Sequence, residues 1–132
     1  MNLFALIVAG GTGTRMRTEI PKQFLELAGK PILMHTIERF KAFDKSVKII
    51  AVLPERQFGL WEELKKKYSF SVSHAVVAGG SSRFFSVKNG LQEVDDNSLV
   101  AIHDGVRPLV SIDTIKRCFS DADNRNGISE FF

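Results

Sequence analysis

Three glycine-rich segments hold the residue types that could do chemistry in this chain. AGGTGTRM, residues 9–16, carries Gly10, Gly11 and Gly13 with Arg15 close behind, and IPKQF, residues 20–24, adds Lys22. Glycine lets a backbone turn through positive φ and bring its N–H groups against an anion with no Cβ in the way. A guanidinium and an ammonium then supply countercharge, so the segment reads as a phosphate cradle. GGSSRFFSV, residues 79–87, places Gly79, Gly80, Ser81, Ser82, Arg83 and Ser86 at the expected start of a helix. Two readings suit it: a pocket for a flat, uncharged base, or a helix N-terminus capped by Ser81 or Ser82. HDGVRP, residues 103–108, offers Asp104 and Gly105, with Arg107 held by Pro108. Asp104 there suits magnesium facing a triphosphate, as a hard oxygen ligand acting directly or through water. The competing reading is a structural turn or ion pair between Asp104 and Arg107.

Other phosphate-binding signatures fit less well. The dinucleotide fingerprint GxGxxG begins at Gly11 and Gly13, but Met16 takes the third glycine's place, and Pro54 and Glu55 follow the second strand. A GKS or GKT P-loop is absent from the sequence. His103 has no histidine partner at metal-ligand spacing and reads as packed or hydrogen-bonded locally, and His35 and His74 suggest no role.

The elements that must position these segments alternate along the chain. Asn2–Val8, Val47–Leu53, Ser73–Val77 and Ser98–Ile102 are short runs rich in Val, Ile and Leu, as strands covered on both faces should be. Between them lie helical stripes: Ile32 or Leu33 with Ile37, Phe40 and Phe43; Phe58, Trp61, Leu64 and Tyr68; Phe84, Val87, Leu91 and Val94; then Ile112, Ile115, Phe119 and Ala122 behind a capping Ser111. This alternation predicts an α/β, Rossmann-like layered fold with a mainly parallel sheet flanked by helices. Ligands of such sheets bind beyond the carboxyl ends of the strands, where the three glycine segments fall.

Composition narrows the partners. With 132 residues, 44% of them hydrophobic, one packed domain is the expectation. The net charge of +3 is small and clusters beside glycines and prolines, so no nucleic acid is expected as partner. Lys65, Lys66 and Lys67 read as the solvated side of a helix. Cys118 stands alone, which excludes an internal disulfide or thiolate cluster and fits a cytoplasmic address. Leu3–Val8 is too short to span a bilayer and lacks a basic start, so no membrane contact is expected.

Taken together, AGGTGTRM with IPKQF, then KPILMHTIERF, GGSSRFFSV and HDGVRP resemble the nucleotidyltransferases of the sugar-nucleotide type. They are most similar to the 2-C-methyl-D-erythritol 4-phosphate cytidylyltransferase family, over residues 2 to about 120 in that family's order. Ribitol-5-phosphate cytidylyltransferases look very similar over the same segments. The resemblance implies a single nucleotidyltransferase domain over residues 1–132, its CTP-binding portion, with Mg²⁺ as cofactor and CTP and a sugar-alcohol phosphate as substrates. Ala9, Gly80, Ser81 and Ser86 would surround cytosine. Gly10, Gly11 and Gly13 would hold the phosphates, Asp104 and Gly105 would lie beside the ribose and metal, and Arg15 and Lys22 would be catalytic. Arg83 and Arg107 would brace loops. Ser81 departs from the acidic residue often found there. The family is usually homodimeric through a projecting arm, and relatives are longer. The chain is thus expected to keep most of the nucleotide half and to lack the dimer arm and much of the acceptor half.

Overall fold

A computed structural model of the chain describes residues 2–9, 20–124 and 127–130. Gly10, Gly11, Gly13 and Arg15 lie outside the described residues, so their expected roles are carried by sequence alone. β1 (Asn2–Val8) sends successive side chains to opposite faces. Ala5 and Ile7 enter one hydrophobic cluster, while Phe4, Leu6 and Val8 enter another. A strand buried on both sides has no polar face to show, which is why this run is continuously apolar.

After β1 comes a two-stranded antiparallel hairpin of β2 (Glu26–Leu27) and β3 (Lys30–Pro31), then α1 (Ile32–Phe43). α1 leads to β4 (Lys48–Leu53), α2 (Phe58–Lys67) to β5 (Ala75–Ala78), α3 (Arg83–Leu91) to β6 (Ser98–Asp104), and α4 (Ile112–Asn124) to β7 (Ile128–Glu130). β1 and β4 to β7 form one sheet in the order β5-β4-β1-β6-β7, every neighbouring pair parallel. Helices α1, α2 and α4 bury Leu33, Ile37, Phe40, Trp61, Ile115 and Phe119 on one face, and α3 covers the other. The layered α/β fold expected from the alternation is the fold observed. Among the described residues no helix is long and apolar enough to cross a membrane.

The boundaries shift in instructive ways. The second strand begins at Lys48 rather than Val47, the third at Ala75 rather than Ser73, and the fourth runs past Ile102 to Asp104. Ser111 caps α4 as expected, its Oγ accepting from Thr114 N–H at 3.1 Å. The stripe assigned to α3 needs correction at both ends. Phe84 is 69% exposed, and the helix stops at Leu91, short of Val94. Ser86 and Gly90 are instead the buried positions, and Val87 and Leu91 pack beside them, so Phe84 points the opposite way around the helix. A Cβ on Gly90 would lie 2.3 Å from Leu6 Cδ1 and 3.0 Å from Val52 Cγ2, so the missing side chain sets how closely α3 approaches the sheet. Gly90→Ala is expected to destabilise the fold by about 1–3 kcal/mol through overpacking. A lowered urea midpoint with an unchanged slope would register it. β7 had no counterpart in the sequence reading, because Ile128–Glu130 is too short and too polar to announce a strand.

Candidate functional site at the carboxyl edge of the sheet

From β1 the chain moves outward through β4 to β5 and then returns to β6 on the far side of β1. The strand order therefore reverses between β1 and β6, the place where an open α/β sheet leaves a crevice at its carboxyl edge. Val8 is in register with both Val52 and Asp104, so the ends of all three strands lie together. Past the strand, Ala9 N–H donates to Val52 O at 2.9 Å, and Gly105 N–H donates to Val8 O at 2.9 Å. A Cβ on Gly105 would sit 2.9 Å from Ala9 Cβ and 3.3 Å from Ile7 Cγ2. The first and third glycine segments therefore touch at backbone distance, and only glycine fits at position 105. Thr36, buried on α1, donates its hydroxyl to Gly105 O at 3.1 Å and fixes that carbonyl.

The second glycine segment stands at the same edge, two strands away. Gly79 N–H extends the β4–β5 pairing by donating to Leu53 O at 2.8 Å. The chain then folds back so that Gly80 N–H donates to Ser86 Oγ at 3.0 Å, while Asn89 Nδ2 donates to Ala78 O at 3.1 Å. Gly80 is required here, since a Cβ would fall 2.4 Å from Phe85 Cβ. Ser82 caps α3 by accepting from Phe85 N–H at 3.3 Å, which selects it over Ser81, itself exposed. Cap and ligand pocket are compatible: Ser82 serves the helix, whereas buried Ser86 shapes the Gly79–Gly80 backbone.

Asp104 closes β6 with an Asx turn. Its Oδ1 accepts from Val106 N–H at 3.0 Å, and its carbonyl accepts from Arg107 N–H at 3.2 Å. This is the turn considered for Asp104 and Arg107, and it leaves Oδ2 without a hydrogen-bond or ion-pair partner among the described residues. No group of three or more potential metal-ligating side chains occurs among those residues. A single half-buried carboxylate is nonetheless the donor set that suits magnesium, which takes one or two carboxylates and fills its other positions with water and phosphate. His103 is buried, donates from Nε2 to Arg107 O at 3.1 Å and meets the Phe40 ring edge-on. It holds the HDGVRP loop locally, as its lack of a histidine partner suggested.

Lys22 is exposed on a 3₁₀ turn, Lys22–Phe24, whose other two residues, Gln23 and Phe24, are buried. Gln23 Nε2 donates to Gln57 Oε1 at 2.5 Å, and Phe24 stacks on Trp61 with centroids 5.6 Å apart. Trp61 Nε1–H in turn donates to His74 Nε2 at 3.1 Å, whose Nδ1–H donates to Val72 O at 2.8 Å. Tyr68 donates to Glu26 at 2.8 Å and ties the hairpin to the end of α2. Sequence reasoning missed Gln23, Gln57 and the part played by Trp61. The only signals were an amide beside Lys22 and another three residues after Pro54, and neither is specific.

Two imidazoles, the half-buried His74 and the buried His103, bear on pH. Burial is the main cause holding His74 and His103 below the ordinary histidine pKa, outweighing the carbonyl contacts at Val72 and Arg107 that favour the proton. The unfolded chain takes up these protons near pH 6.5 while the folded chain resists them, so stability is complete above that value and is lost as pH falls below it. Urea midpoints are therefore expected to drop from pH 7.5 through 6.5 to 5.5. A midpoint that stays level or rises on acidification would contradict the neutral assignment of these two side chains.

Comparison with known proteins adds an independent observation. The family described as 2-C-methyl-D-erythritol 4-phosphate cytidylyltransferase matches residues 3–129, a span that runs beyond residue 120, where the resemblance carried by the motifs ends. A protein of that name from Porphyromonas gingivalis is 56% identical over 126 residues, covering 96% of this chain and 56% of the relative. One from Bacteroides thetaiotaomicron is 48% identical over 128 residues, covering 97% of this chain and 58% of the relative. A crystal structure described as 4-diphosphocytidyl-2C-methyl-D-erythritol synthase from Anaerococcus prevotii superposes with a TM-score of 0.71 at 26% identity, covering 91% of this chain and 50% of that one. The chain thus spans a little over half the length of these curated relatives.

Proposed function

The chain belongs to the 2-C-methyl-D-erythritol 4-phosphate cytidylyltransferase family, and from that premise we propose that it binds magnesium CTP in the β1–β6 crevice and serves transfer of CMP to methylerythritol phosphate. The observation that carries this reading is the meeting of Ala9 with Gly105 at the strand-order reversal, which puts the start of the glycine cradle against the Asp104 turn. The names of these relatives favour methylerythritol phosphate over ribitol phosphate as acceptor.

In this reading the acceptor's phosphate oxygen attacks the α-phosphorus of CTP, a bond to the bridging oxygen of the β-phosphate breaks, and pyrophosphate leaves. No protein nucleophile is needed. The obstacle is to bring two anions together and hold charge on a crowded phosphorus, a task for positioning and preorganised cations. Arg15 and Lys22 supply the cations, and the backbone N–H groups of Gly10, Gly11 and Gly13 line the phosphates. Gly80, Ser81 and Ser86 form the base side, where glycine permits close approach and Ser86 holds the backbone from behind. Asp104 would hold magnesium through its carboxylate, the ion supplying charge neutralisation across the phosphates. Gly105, having no side chain, lets the Asp104 turn pack directly against Ala9, and that close contact would set the ribose side of the crevice.

Calorimetry with magnesium CTP tests the binding, and pyrophosphate release with methylerythritol phosphate tests the reaction. Binding together with release is the expected result. Heat from CTP without pyrophosphate would reduce the reading to a nucleotide-binding fragment, which the chain's share of its relatives' length makes the natural alternative. No heat from CTP would overturn both.

A further inference from the structure

We propose that the buried hydrogen bond between Gln23 and Gln57 is a positioning device for Lys22, making Gln57 a positioning residue for the chemistry of the crevice. The inference deepens the function proposed above and rests on it for the role of Lys22. Gln23 directly follows Lys22, and the two glutamines are 2% and 6% exposed while Lys22 itself is exposed. Burying and ordering two long amides costs conformational entropy and desolvation, and apolar side chains would fill the same space without that cost. What the amide pair adds is direction.

Gln57 ends the 3₁₀ turn Glu55–Gln57, whose backbone is closed by Gln57 N–H donating to Pro54 O at 2.9 Å. That turn follows Leu53, the residue whose carbonyl receives Gly79 N–H. The tie therefore runs from the Lys22 segment to the carboxyl end of β4, the same edge that carries the glycine segments. Phe24 on Trp61 anchors the segment as well, but two parallel rings tolerate sliding in their plane, whereas a hydrogen bond between amides weakens steeply with misalignment. On its other side Lys22 follows Pro21, whose ring fixes its own φ. A backbone so constrained fixes where the Lys22 stem begins, leaving only the side-chain torsions to settle as charge develops.

The test compares the chain with Gln57→Leu, which removes the acceptor, and Gln57→Glu, which keeps one for Gln23 Nε2. The ¹⁵N order parameter of the Lys22 amide is expected near about 0.85 in the unaltered chain and below about 0.6 in Gln57→Leu. It should recover in Gln57→Glu, with the amides of Ile50 and Val52 unchanged throughout. In turnover, Gln57→Leu is expected to lower kcat about tenfold with KM for CTP nearly constant, and Gln57→Glu to restore most of it. The inference is overturned if Lys22 keeps its order in Gln57→Leu, or if the sheet loosens equally. Should Gln57→Leu fold poorly with Gln23 left unpaired, the double change Gln23→Leu with Gln57→Leu removes both amides and gives the same readout. Loss of order at Lys22 combined with a fully active Lys22→Ala chain would refute the phosphate role of Lys22 and with it any catalytic meaning of the tie. A Lys22 that stays ordered while Lys22→Ala is inactive would refute the tie alone.

Discussion

Under the proposed function, replacing Lys22 by alanine is expected to slow CMP transfer about a hundred- to a thousand-fold, the usual effect of removing one preorganised donor from a site of developing charge. The fold should scarcely notice. Lys22 is exposed, and the anchors of its segment are Gln23 and Phe24, which the substitution leaves in place. Exposed changes away from such anchors stay within about 0.5 kcal/mol. Parallel measurement of pyrophosphate release and thermal unfolding decides the matter. Equal loss of activity and stability would mean that Lys22 supports structure and not chemistry. Lys22→Arg is a useful companion, because it preserves charge but exchanges a compact point charge for a broad planar fork, and partial recovery is expected.

Trp61→Ala is expected to be the most damaging change to the fold, costing about 3–5 kcal/mol. Trp61 is fully buried, stacks on Phe24, meets Phe70 with centroids 6.0 Å apart, and donates its indole N–H to His74. Its loss leaves a large cavity and an orphaned acceptor. For a domain of this size the melting temperature should fall by roughly 10–20 °C. Because Phe24 loses its platform, the Lys22 segment should loosen as well, so residual activity at low temperature should be reduced beyond what the folded fraction explains. A variant that melts lower yet turns over normally per folded molecule would show that the stack serves stability alone. Trp61→Phe keeps a ring for Phe24 and should lose mainly the His74 hydrogen bond.

Much of the fold was legible because buried parallel strands have a signature that needs no context. NLFALIV and KIIAVL are apolar on both faces, and the helices between them repeat at helical spacing. The glycine segments announced the carboxyl edge for the same reason, since each breaks a strand at a point where the chain must turn. The stripe of α3 fails at Phe84 because hydrophobicity alone does not mark a buried face. Gly90 and Ser86 hold that face instead, and a glycine pressed against Leu6 carries no hydrophobic signal.

The candidate site divides in the same way. Residue type alone points to a glycine cradle, to the cations Arg15 and Lys22, to the carboxylate of Asp104 and to capping serines, because each is the simplest chemical solution to a local need: backbone freedom, countercharge, a hard oxygen, a free N–H; of these, the caps are seen at Ser82 and Ser111. Only the three-dimensional arrangement decided that Ala9 and Gly105 touch, that Ser86 holds Gly80, and that Gln23 reaches Gln57 across 34 positions of chain. Those contacts join elements distant in sequence, and their existence depends on strand order, register and helix depth. No residue's own chemistry encodes such quantities; they emerge when the strands pack into one sheet, which is why the parts of this site could be read from the sequence and their assembly could not.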